Sequence, residues 1–247
     1  MKNDSPKLQL TSLTIFSIAM GFLEAAVVVY LRSLFYPEGF TFPLTLMTPN
    51  ILFTEYLREI STLVMLVSLS LFGGRNTSEK LSIFLFSFGV WDIFYYVWLK
   101  VLLDWPPSLF TYDILFLIPV IWIAPVLAPI ICSLTMIGIA GCITYASQKN
   151  YRIVIRLRHY ISFFVGVLVI FISFIWDFAE MIVGGGFLSR FWTLPADPAF
   201  QRILEEYIPV SFPWPLFITG ELLILITSLS LCREILNKSK LKGNNNS

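Results

Sequence analysis

The sequence predicts an all-α, polytopic membrane protein: one integral-membrane domain built as a six-helix transmembrane bundle, with a proline-kinked fourth span and an interfacial helix between spans five and six. Three observations carry that expectation. Of 247 residues, 57% are apolar and only 13% charged, about half the charged fraction of a soluble domain. Mean hydropathy is +0.78. The apolar residues also fall into runs of about 20 or more, long enough as helix to cross a ~30 Å hydrocarbon layer, with polar or proline-rich breaks between them.

The first span, residues 8–31, follows Lys2 and Lys7. It is too long for the apolar part of a signal peptide, contains Glu24 and lacks a small-x-small cleavage site, so it is expected to remain as a helix. A loop with Pro37, Gly39, Pro43 and Pro49 leads into span two, 50–73, which stops at Gly73 and Gly74. Span three, 81–103, stops at Asp104-Trp-Pro-Pro107. The fourth stretch, 113–146, exceeds one crossing and holds Pro119, Pro125 and Pro129. Proline cannot donate to the helical ladder, so one kinked helix is expected there, preceded by a short interfacial or re-entrant piece. Span five, 159–183, ends at three glycines, and span six covers 214–236. Between them Phe200, Ile203, Leu204, Tyr207 and Ile208 recur at helical spacing opposite Arg202, Glu205 and Glu206. That is the pattern of a helix lying on the membrane surface.

Of the 17 lysines and arginines, 12 fall on the side of the two termini, four on the other, and Arg58 lies inside a span. By the positive-inside rule the protein belongs in a cell membrane with both termini cytoplasmic. The bilayer is therefore its expected partner. A net charge of +1, with no basic patch interleaved with aromatics, offers nucleic acid nothing. Cys132, Cys142 and Cys232 lie in apolar or helix-end sequence and read as small packing residues. His159 is the only histidine, so haem, zinc and copper sites are not expected; a hard cation held by carboxylates is the metal left open.

The functional expectation rests on acids inside the spans. Glu55, Arg58 and Glu59 sit at i, i+3 and i+4, on one face of span two, so the arginine can reach either carboxylate. In the topology above, Glu24, Glu55, Glu59, Asp92, Asp177, Glu180 and Glu221 all lie in the outer half of their helices. At about 1.5 Å of rise per residue most sit roughly 5 to 12 Å below the outer boundary, and Asp92 about 15 Å. Charges at such depth are expensive unless paired and useful. Only Arg58 and Lys100 offset these acids, so the layer is expected to hold protons or a cation.

Asp92 with Tyr95, and Asp177 with Glu180, are then the acid–base candidates. Glu24, Glu55, Arg58, Glu59, Tyr96 and Glu221 are the candidates for holding a substrate. Such a layer suits acid–base catalysis on, or binding of, a lipid-like or small amphiphilic molecule from the outer side. The same acids would serve a proton- or cation-coupled transporter. They would also serve an accessory subunit of a membrane complex, or hydrogen bonding that merely holds helices together.

Overall fold

The computed structural model describes residues 6–149, 151, 156–189 and 197–244. In chain order its elements are α1 (Pro6–Phe35), α2 (Pro49–Gly73), α3 (Thr77–Leu103), β1 (Tyr112–Phe116), β2 (Trp122–Pro125), α4 (Leu127–Gln148), α5 (Leu157–Phe174), α6 (Trp176–Gly184), α7 (Pro198–Glu206) and α8 (Trp214–Asn244). Six of the helices, α1 to α5 and α8, are long and apolar enough to cross a bilayer. The chain is a multi-pass integral membrane protein.

Helix ends follow local chemistry. Pro49 opens α2, where its missing N–H is not needed. Asn76 caps α3 by accepting from the Glu79 amide at 3.0 Å. Asp104 closes α3 in the left-handed conformation (φ 51°), and its carboxylate pairs with Lys100 at 2.7 Å. That contact holds the Asp104 carboxyl below the usual carboxylate range.

Helix α3 is the hub: α1, α2 and α4 pack on it, while α5 and α8 form a second pair joined to the first group through α4. Gly21 is where α1 comes closest to α3. A Cβ there would stand 2.9 Å from the Trp91 carbonyl oxygen and 3.0 Å from the Tyr95 amide. The missing side chain therefore admits another backbone, and this near contact aims Glu24 and Asp92 into the same space.

Three expectations need correction. The fold is not purely helical, because residues 112–125 form an antiparallel hairpin with Asp113 opposite Ala124 and Ile114 opposite Ile123. Aromatic and β-branched residues (Tyr112, Ile114, Phe116, Trp122, Ile123) favour strand pairing over a fourteen-residue helix. A bulge between Ile114 and Phe116 twists the first strand. Helix α4 consequently begins only at Leu127. Pro119 falls in the hairpin connection, Pro125 ends β2, and Pro129 sits in the first helical turn, so these prolines bound elements where a kink was expected.

Span five is the third case: it breaks at Ile175 into α5 and α6. Between α6 and α8 the chain forms a nine-residue helix, α7. Its Phe200 and Leu204 are buried against Phe178, Ile182 and Phe187, whereas Tyr207 and Ile208 lie beyond its last residue.

A carboxylate-rich candidate chamber

A cavity of about 400 Å³ opens between α1, α2, α3, the hairpin, the segment 36–48 and the α6–α7 corner. The buried face of α2 carries Glu55, Glu59, Thr62, Leu66 and Ser70, a helical stripe of which Glu55, Glu59 and Thr62 line the cavity. Arg58 stands beside that stripe. Its Nη1 donates to Glu24 of α1, and its Nε donates to Glu55 Oε2 at 2.7 Å. Two helices are thereby clamped through one guanidinium held between two carboxylates.

Glu59 is bound differently. Both of its carboxylate oxygens accept from the Leu117 amide at 3.0 Å, where the chain leaves β1. That amide lies past the paired part of the strand and would otherwise be an unsatisfied buried donor. From α3, Asp92 Oδ2 accepts from Ser133 Oγ of α4 at 2.6 Å. Neither Glu59 nor Asp92 belongs to an ion pair among the described residues. Tyr95 and Tyr96 line the same cavity with their rings 4.8 Å apart.

Two further charges complete the chamber, and sequence reasoning missed both as site residues. Arg32, near the end of α1, pairs through Nη2 with Asp113 Oδ1 at 3.3 Å, and both side chains are buried. The guanidinium lies 3.8 Å from the Trp105 ring centroid and 4.5 Å from that of Phe40, so aromatic faces replace part of its lost water. The available signal was Asp113 itself, a lone acid in an apolar stretch of strand composition. In all, five carboxyls and two guanidinia line the chamber.

The structure therefore gathers Glu24, Glu55, Arg58, Glu59, Asp92, Tyr95 and Tyr96. It does not gather the other three candidates. Because the helix breaks at Ile175, α6 presents Phe178 to the chamber and leaves Asp177 and Glu180 outside its lining. Asp177 instead accepts from the Tyr207 hydroxyl, and Glu180 is exposed and accepts from Trp176 Nε1 at 2.7 Å. Burial and the adjacent Asp177 carboxylate raise the Tyr207 phenol above its ordinary range. Glu221 of α8 accepts from Thr135 Oγ1 at 2.9 Å and lines a different cavity. Lys100, expected to offset the acids, is occupied by Asp104 at the exposed end of α3.

Among the described residues no three histidine, cysteine or acidic side chains are grouped to hold a metal ion. In comparisons with known proteins, no family model matches the chain, and no curated protein or solved structure matches it.

Proposed function

We propose that the chamber binds an amphiphilic molecule and carries out acid–base chemistry on its polar end. The observation that carries this reading is that Glu59 and Asp92 share one cavity of about 400 Å³ with no ionic partner, beside a pre-formed Glu24–Arg58–Glu55 clamp. The size falls within the usual range for small-molecule sites, ~300–1,000 Å³. Leu44, Leu46, Val120 and Ile121 offer an apolar wall, and the charged groups give the ligand a fixed polar end.

In this reading Arg58, held on two sides, orients an oxygen of the ligand. Glu59 and Asp92 exchange protons with it, one accepting while the other, protonated, donates. The phenols of Tyr95 and Tyr96 serve as further donors. The lysine and arginine bias supports an orientation with both termini in the cytoplasm and the chamber toward the outer half of the bilayer.

The test is mass spectrometry of organic extracts from protein purified in lipid nanodiscs. Wild type should retain an amphiphile that Arg58→Ala and Asp92→Asn lose, and on incubation only wild type should convert it. Equal retention by folded variants would overturn the assignment. A transporter is the second reading, favoured by the Ser133–Asp92 contact, which carries polar groups from the chamber onto α4. Cation flux in proteoliposomes that disappears in Glu24→Gln and Asp92→Asn would select it.

A further inference from the structure

A second cavity, of about 450 Å³, lies on the seam between the α3–α4 and α5–α8 pairs. Its residues on α8 run from Glu221 to Cys232, about 16 Å along the helix axis. The walls are almost wholly apolar, with Trp122, Phe163, Phe171 and Phe174 forming an aromatic side. A cavity of that character does not hold water well. Its lining contains one carboxyl, Glu221, and no lysine, arginine or histidine.

Glu221 is placed there by packing. Its neighbour Gly220 faces Gly166 of α5, and a Cβ on Gly220 would stand 2.9 Å from the Gly166 carbonyl oxygen and 2.7 Å from Ile170 Cγ1. The tight α5–α8 contact fixes the register of α8 and directs the next side chain toward α4, where Thr135 donates to it. Glu221 is only 5% exposed. The Thr135 hydroxyl and the weakly donating Cys132 thiol beside it leave part of the acceptor capacity of the carboxylate unused. No ion pair involves it among the described residues.

We infer that this second cavity is a separate binding site for a lipophilic amine, with the ammonium group on Glu221 and the alkyl chain along α8 toward Cys232. The ammonium supplies the missing positive charge and donors in a place that water does not satisfy. The aromatic side accepts the cation's outer face, and the long apolar seam takes the tail. An anionic lipid is disfavoured because its head would meet Glu221 without a compensating base, and a neutral lipid forgoes the charge-assisted bond.

The experiment titrates dodecylamine and dodecanol, two probes with the same tail, into the full chain in nanodiscs and reads binding by thermal shift. Wild type should prefer the amine by at least about tenfold, the usual worth of a charge-assisted bond. Glu221→Gln should abolish that preference while leaving dodecanol unchanged, and Ile139→Trp, which fills the cavity from α4, should weaken both. If Glu221→Gln does not fold, Glu221→Asp and Ile139→Trp carry the test, since each leaves a carboxyl at position 221. Equal affinity for amine and alcohol in wild type would overturn the inference. So would a preference that survives folded Glu221→Gln, or affinities for both probes that are unchanged in folded Ile139→Trp. A preference lost in Glu59→Gln but kept in Glu221→Gln would place the amine in the first chamber, which overturns this site and leaves the proposed function standing.

Discussion

The two cavities are of nearly equal size, about 400 and 450 Å³, yet they are chemical opposites. One holds five carboxyls and two guanidinia, and the other a single carboxyl in an apolar seam. Helix α4 lines the second cavity and reaches the first only through the contact of Ser133 with Asp92. Ser133 and Thr135 are two residues apart, hence about 200° apart around the helix. The first holds Asp92 for one chamber and the second holds Glu221 for the other. The comparison shows how a small bundle keeps polar groups in an apolar setting. In the first chamber ion pairs tie α1, α2 and the hairpin together, while Glu59 and Asp92 are held by an amide and a hydroxyl. In the second, tight packing of the glycine-bearing helices α5 and α8 positions one acid and leaves it available.

The sharpest way to break this contrast is Asp113→Ala, which strands the buried Arg32 charge. Losing one partner of a buried pair costs about 3–5 kcal/mol, so the thermal midpoint should fall steeply, while Arg32→Met with Asp113→Leu should recover most of it. A silent Asp113→Ala would show that the pair does not hold the hairpin to α1. Next in size are the glycine contacts. Gly21→Val and Gly220→Val should each cost about 1–3 kcal/mol by overpacking. They should separate by site: only Gly220→Val should also abolish dodecylamine binding.

Smaller effects test whether the two acids held by α4 are independent of each other. Ser133→Ala and Thr135→Ala should each lower stability by about 1 kcal/mol. In a double-mutant cycle their coupling should stay below about 0.5 kcal/mol, because they share no partner. Stronger coupling would mean that the two acids communicate. Smallest of all, Glu180→Gln should leave stability and both ligand responses unchanged within error, since this exposed side chain touches neither cavity.

Much of this was legible without coordinates, for identifiable reasons. Run length depends only on which residues are apolar, so the six crossings could be counted. Spacing along one helix depends only on its pitch, so Glu55, Arg58 and Glu59 could be placed on one face, where Arg58 does engage Glu55. Depth along each axis follows from rise per residue, which is why the acids looked like one layer. Rotation about each axis relative to its neighbours is another matter. It is set by contacts such as Gly21 against α3 and Gly220 against α5, and by the break at Ile175. These contacts divide the acids of that one layer: Glu24, Glu55, Glu59 and Asp92 join Asp113 in a chamber, Glu221 goes to another, and Asp177 and Glu180 to neither.

By itself, then, the sequence determined a multi-pass helical bundle, the residue types available for chemistry, and the local pairing within α2. Tertiary structure alone decided which acids meet, and that Arg32 and Asp113, 81 positions apart, are partners. It also decided that residues 112–125 pair as strands. The physical reason is the same in each case: helical pitch is a property of neighbouring residues, whereas azimuth and strand pairing are settled by groups distant in the chain competing to satisfy buried backbone and charge.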